Sequence, residues 1–120
     1  MSSEAEIDER MPVWEALSEF FLDAKLGGED HERIARVLAA SRFTEDELEA
    51  ILVHEVRPVC RRNLHSVAGE WTGFDRDEMR RKMSALIGRR PFLHLGFRDR
   101  WMYREHWKVV RVRIVELRTA

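Results

Sequence analysis

The sequence has little of what stabilises secreted or membrane proteins. Its 120 residues include a single cysteine, Cys60, so no disulfide can form within the chain. No apolar run approaches the roughly 20 residues that a membrane-spanning helix needs. Residues 1–10 are acidic and lack the apolar core of a secretion signal. We therefore predict a cytoplasmic protein without a membrane span.

Proline and glycine are also scarce, with three and six residues, and they fall mostly between runs in which apolar residues recur every three to four positions. This spacing is typical of amphipathic helices that share one core. It predicts a disordered N-terminus over residues 1–10 and a single helical domain over residues 11–120. The helices are predicted at residues 12–26, 29–41, 44–68, 75–87 and 97–120. The second helix is expected to place Ile34, Ala35, Val37 and Leu38 in the core, and Gly88 is expected to end the fourth.

The third predicted helix has a marked beginning and a disturbed middle. Thr44 and Glu47 form a Thr-x-x-Glu capping box, in which each side chain accepts a hydrogen bond from a free backbone N–H. Pro58 lies inside the helix, where it lacks an N–H and clashes with the preceding turn, so we predict a bend there. Beyond this helix, Trp71 and Phe74 are predicted to fold back onto the core.

The last segment has two interpretations. Tyr103, Trp107, Val110, Ile114 and Leu117 form one stripe of a helix, whereas residues 110–114 also alternate in the manner of a β-strand. A lone strand would need a partner, and no second strand pattern occurs in the sequence. We therefore predict an all-α fold of about five helices.

Charge is divided unevenly along the chain. Residues 1–55 contain 15 acidic and 5 basic side chains, whereas residues 56–120 contain 7 acidic and 16 basic ones, and the total is −1. Either the halves pack together and neutralise each other, or each half presents its charge to a partner. We favour the first interpretation, because packing brings opposite charges close together.

No catalytic or metal-binding motif is complete. His54-Glu55 begins like a zinc-protease helix, but Pro58 stands where the second histidine would be needed. Cys60 with His65 is the nearest approach to a nucleophile and base, but Cys60 lies on an apolar stripe, as core cysteines do. The sequence also lacks phosphate-binding and dinucleotide-binding glycine loops. We predict no catalytic residue, no metal and no cofactor.

Three stretches, VWEALSEFFLDAKL, IARVLAASRFTEDELEAILVHEVRPVCRRNL and VAGEWTGFD, resemble a family of short proteobacterial proteins of unknown function, over roughly residues 12–75. The resemblance implies a helical single domain and carries over no functional residue. In size and character the chain is also similar to toxin-immunity proteins, which are cytoplasmic binders of a cognate toxin.

The leading hypothesis is a non-enzymatic protein-interaction domain that docks through charged surfaces, with an immunity-type protein as one form of it. The predicted surface for a basic partner consists of acidic residues: Glu29, Asp30, Glu45, Asp46, Glu47 and Glu49. The alternative is a regulatory protein that binds nucleic acid through arginines: Arg89, Arg90, Arg98, Arg100 and Arg104. A third hypothesis is a small enzyme that uses His54, Glu55 or Cys60.

Overall fold

The computed structural model describes residues 3–22, 26–64, 76–88 and 97–119. These residues form helices and the turns between them, and no strand occurs among them. The predicted all-α fold is therefore confirmed. The five described helices are α1 (Glu4–Leu22), α2 (Gly28–Ala40), α3 (Glu45–Ile51 continuing through Leu52–Val56 and Arg57–Leu64), α4 (Arg76–Ser84) and α5 (Phe97–Thr119).

Helix α1 begins earlier than the sequence indicates. The helix starts at Glu4 instead of at Pro12, within the stretch for which disorder is predicted. The Ser3 hydroxyl accepts a hydrogen bond from the backbone N–H of Glu6 at 3.2 Å, as a helix N-cap does. Glu4 and Glu6 lie in the first turn, where their negative charges interact favourably with the positive end of the helix dipole.

The core is organised around α1, which packs against all four other helices. Trp14, Leu17 and Phe20 are fully buried on it. Ile34, Leu48, Met83 and Ile114 of the other helices are buried beside them, whereas Val37, which is predicted to lie in the core, has a side chain that is 36% exposed. The radius of gyration is 13.8 Å, close to the roughly 13.6 Å expected of one compact domain of this length.

Helix α3 begins as predicted and changes its winding before Pro58. Thr44 and Glu47 form the reciprocal capping box, with distances of 3.1 Å and 3.0 Å. Over Leu52–Val56 the helix widens into a π turn, in which the N–H of Arg57 donates to the carbonyl of Leu52. Pro58, which has no N–H to donate, lies two residues beyond this π turn. The bend expected there stays a prediction.

Helix α5 continues through the segment that also fitted a strand. Val110 and Ile114 are buried against the core while Val112 between them is 60% exposed, which is the helical pattern. Helix α2 lies along α5. Helix α4 ends at Ser84, before the predicted residue 87, and Gly88, with a φ of +80°, closes the turn that follows it. Trp71, Phe74 and His65, for which roles were predicted, lie outside the described residues.

Among the helices that the structure describes, none combines the length and the apolar character that crossing a bilayer requires.

Candidate functional site

The acidic and basic halves of the chain meet in the folded protein. Helix α5 carries three arginines that pair with carboxylates of the N-terminal half: Arg111 with Asp46 at 2.8 Å, Arg113 with Glu32 at 2.8 Å, and Arg118 with Glu45 at 3.4 Å. Helix α4 adds two further pairs: Arg76 with Glu15, and Arg80 with Asp8. These contacts match the interpretation that the two halves of the chain neutralise each other.

Three of the six predicted acidic docking residues, Glu45, Asp46 and Glu49, face α5. Glu49 accepts a hydrogen bond from Nε1 of Trp107 at 2.8 Å. These carboxylates take part in the contact between α3 and α5.

The other three acidic residues lie at helix N-termini. Glu47 is half of the α3 capping box, and the hydrogen bond that its carboxylate accepts from the backbone N–H of Thr44 holds its pKa below the usual range. Asp30 accepts from the N–H of Gly27 at 3.0 Å, and that bond lowers its pKa in the same way. Glu29 is exposed in the first turn of α2. Because α2 separates the two N-termini, the six residues form two groups instead of one surface.

Among the predicted basic residues, Arg104 is exposed on α5. Arg98 and Arg100 belong to the first turn of that helix, and their side chains lie outside the described part of the structure, as do Arg89 and Arg90. The nucleic-acid hypothesis stays a prediction.

A carboxylate is buried at the centre of the bundle. Glu55 is 6% exposed and accepts a hydrogen bond from Nε1 of Trp14 at 2.8 Å. Nε of Arg10 lies 3.3 Å from the same carboxylate oxygen. Burial raises the pKa of Glu55, while the Trp14 bond and the Arg10 charge oppose the rise. The cluster is closed by the core and stabilises the contact between α1 and α3.

The raised pKa of Glu55 predicts how stability changes with pH. The folded state binds the proton more tightly than the unfolded state, so this contribution is complete below pH 4.5 and is lost as the pH rises through the higher folded value. Glu55→Gln removes that loss, and we expect its stability relative to the wild type to increase from pH 4 to pH 8. Urea unfolding at several pH values measures it.

Glu78→Gln is the matched control. The Lys82 hydrogen bond lowers the pKa of Glu78, so its contribution is present above pH 4.5 and is lost on acidification. The control should therefore become less stable than the wild type as the pH rises. The same trend in both variants would contradict the assignment of Glu55.

Cys60 lies in the core. Its side chain is fully buried, with Sγ 3.7 Å from Oγ of Ser18, whose hydroxyl donates to the carbonyl of Trp14 at 2.6 Å. Burial raises the pKa of the thiol to about 12. A thiolate, the reactive form, is therefore scarce at neutral pH.

We expect Cys60 to react with a disulfide reagent such as dithionitrobenzoate at least about a thousandfold more slowly in the native protein than in the unfolded chain. The raised pKa alone lowers the fraction of thiolate at neutral pH by about that factor. Absorbance of the released product, with and without guanidinium chloride, measures both rates. Fast labelling of the native protein, with unfolding excluded by circular dichroism, would contradict the buried position.

Two histidines join α2 to α5. Nε2 of His31 lies 2.8 Å from Nδ1 of His106, so one ring nitrogen donates and the other accepts. The His106 ring also stacks on Phe20, with centroids 5.9 Å apart. The described residues contain no group of three or more His, Cys, Asp or Glu side chains placed to hold a metal ion. This pair fixes the spacing of α2 and α5.

The outer face of α5 carries an exposed apolar line, here called the valine ridge. Val109, Val112 and Val115 are 51%, 60% and 44% exposed. They follow one another at three-residue steps, so they lie along one side of the helix. Lys108 and Glu116, both exposed, border the ridge. An apolar centre with a charged border is the usual layout of a protein interface.

A groove runs along each side of the ridge. The groove between α3 and α5 has a volume of about 660 Å³ and is lined by Val53, Tyr103 and Trp107. The groove between α2 and α5 has a volume of about 620 Å³ and includes His31 and Arg113. Both are shallow and open, and both include Val112 in their walls. The ridge therefore stands between two depressions that a partner's side chains can enter.

The valine ridge is not among the predicted features, although its signal is in the sequence. Residues 110–114 also fit a strand, because β-branched residues alternate with arginines there. Once that segment is a helix, the stripe that includes Val110 and Ile114 faces the core, and the remaining valines fall on the opposite side. A helical projection of residues 103–117 shows both faces.

A family model described as a domain of unknown function (DUF7079) matches residues 8–113. The matched range includes all of α2, α3 and α4, most of α1 and the first two valines of the ridge with a large part of α5. The comparison with curated proteins found no match, and neither did the comparison with solved structures.

Proposed function

The chain belongs to this family of domains of unknown function, DUF7079, and we propose that it is a non-enzymatic protein-interaction domain that binds its partner through the valine ridge of α5. The observation that carries the proposal is the exposure of three aligned valines on one helix. Contiguous apolar surface bordered by polar groups typically marks a site of protein–protein contact.

Contacts elsewhere in the fold also favour this surface. Of the acidic residues predicted to dock onto a basic partner, five take part in caps, hydrogen bonds or ion pairs within the chain. A basic partner would have to displace those contacts. The same holds for phosphate binding by Arg111, Arg113 and Arg118, which already contact carboxylates. The valine ridge needs no such rearrangement.

A non-enzymatic role is supported by the state of the candidate catalytic groups. Cys60 is buried with a raised pKa, and Glu55 is enclosed by Trp14 and Arg10. We propose the cytoplasm as the compartment, because the one thiol has no partner for a disulfide within the chain. An immunity-type role and a bacterial source stay predictions.

Site-specific photo-crosslinking tests the proposal. Benzoylphenylalanine is placed at position 112 in the full chain, expressed in its own host, and at position 37 as the control, because Val37 is an exposed valine away from the ridge. We expect an adduct heavier than the 14.3 kDa chain from position 112 and none from position 37. Val115→Glu, added to the chain that carries the crosslinker at position 112, should abolish the adduct. Absence of any adduct from position 112 would overturn the proposal.

A further inference from the structure

We infer that the partner is a second copy of this chain, with two α5 helices packed antiparallel about a twofold axis that passes beside Val112. The inference rests on the proposed function and names its partner. It is carried by the arrangement of the exposed residues around Val112. Val109 and Val115 lie three positions to either side, and Lys108 and Glu116 lie four positions to either side.

A twofold axis converts this arrangement into matched pairs. In an antiparallel pair centred on Val112, a residue at a given number of positions before the centre is level with the partner residue at the same number after it. Val109 then lies level with Val115 of the other copy. Lys108 lies level with Glu116, and the symmetry repeats both pairs. Apolar side chains are then level with apolar ones, and Lys108 is level with a carboxylate, while Arg111 and Arg113 on the flanks are level with each other and keep their carboxylate partners within the chain.

The opposite orientation fails on charge. In a parallel pair of α5 helices, Lys108 is level with Lys108 and Glu116 with Glu116, so both borders carry like charges. Like charges across an interface disfavour that partner orientation. At the outer positions the antiparallel pair sets Glu105 against the uncharged Thr119. The exposed charges therefore select the antiparallel orientation.

Lys108 and Glu116 are available for such contacts. Both are exposed, and in the described part of the chain neither side chain is within salt-bridge distance of an opposite charge, although the charge of Glu116 acts on nearby Arg113. The charged residues on the flanks of α5 differ in this respect, because Arg111 contacts Asp46 and Glu49, and Arg113 contacts Glu32. The flanks hold the fold together, and the exposed border is left for an interface.

The size of the contact sets the expected affinity. A single helix pair is small beside the roughly 1,000 Å² of a strong interface, and the shallow grooves beside the ridge enlarge it moderately. We therefore expect a weak dimer with a dissociation constant of about 10–100 μM. Sedimentation equilibrium of the purified full chain from about 10 μM to 1 mM covers that range.

Charge exchange across the axis is the decisive test. Lys108→Glu and Glu116→Lys each replace two attractive contacts with two repulsive ones, so each variant should associate about tenfold more weakly than the wild type. An equimolar mixture of the two variants restores opposite charges in every pair and should form the mixed dimer with near-native affinity. The double variant should regain it as well. Val112→Glu should abolish association, and Val37→Glu should leave it unchanged.

The outcomes separate the inference from the proposed function. A wild-type chain that stays monomeric at 1 mM, or charge variants that the mixture does not rescue, would overturn the antiparallel dimer. A crosslinked adduct from position 112 that contains a different protein would overturn the dimer and uphold the interaction domain. An adduct of twice 14.3 kDa that contains only this chain supports both. No adduct overturns both.

Discussion

Replacing Trp14 with alanine is expected to lower the free energy of unfolding by about 3–5 kcal/mol, the range for removing a large aromatic side chain from a core. Trp14 is fully buried on α1, the helix that contacts all the others, so few neighbours can move into the vacated space. The loss also removes the indole N–H that Glu55 accepts from at 2.8 Å. Guanidinium unfolding followed by circular dichroism measures the change.

Trp14→Phe separates the hydrogen bond from the packing. The ring is largely retained, but the buried carboxylate loses a donor, and we expect a loss of about 1–3 kcal/mol. In the Glu55→Leu background, which has no buried acceptor, the same substitution should matter less, so a double-mutant cycle gives the coupling.

Trp107→Phe is the matched control for that substitution. Trp107 donates at the same distance of 2.8 Å to Glu49, whose side chain is 50% exposed. Water can take the place of the lost donor there, and the loss should be less than half of that for Trp14→Phe. Equal losses at the two positions would contradict the role given to burial.

Arg118→Ala is expected to lower the free energy of unfolding by about 2–3 kcal/mol, because a charged donor to several backbone carbonyls is lost. The Arg118 guanidinium, 25% exposed, donates to the carbonyls of Leu38, Ser41 and Phe43 at 3.2, 3.1 and 2.7 Å. These carbonyls lie at the end of α2 and in the loop that follows it. Arg118 therefore fastens the last turns of α5 to the α2–α3 connection. Urea unfolding measures the loss.

Arg118→Lys tests whether geometry or charge is responsible. Lysine keeps the charge but offers three donors on a compact ammonium, which cannot span carbonyls spread over several residues. We expect it to recover less than half of the loss. Arg36→Ala is the control, since its pair with Glu32 is 3.6 Å long and its side chain is 67% exposed, and it should change stability by less than about 0.5 kcal/mol. Full recovery by lysine would contradict the network.

The helical core was predictable because it depends on local periodicity. Leu48, Ile51 and Leu52 on α3, like Val110 and Ile114 on α5, recur at helical steps in the sequence and are buried in the structure. Val37 does not follow the prediction, because it lies at the edge of the apolar stripe whose centre is formed by the buried Ile34, Ala35 and Leu38. The start of α1 was misplaced because Pro12 resembles a first-turn residue, whereas Ser3 supplies the cap.

The candidate site was less predictable because it depends on which helix faces which. The uneven charge distribution indicated that the halves neutralise each other, but no local pattern pairs Arg118 with carbonyls 75 to 80 residues away. Trp14 and Glu55 are separated by 41 residues in the same way. The valine ridge is a surface only because α2 and α3 cover the other sides of α5.

The π turn of α3 determines how the helix responds to a change in the number of its residues. It accommodates one residue more than a regular helical turn over Leu52–Val56. Deleting one residue there would restore regular winding and leave the helix after it in nearly its present orientation, because the wide turn already offsets the rotation of about 100° that one residue adds. Val59 and Cys60, now buried, would stay turned toward the core. The π turn should therefore tolerate the loss of one residue, whereas a deletion in the regular turns of α3 before it would turn the buried residues that follow away from α1.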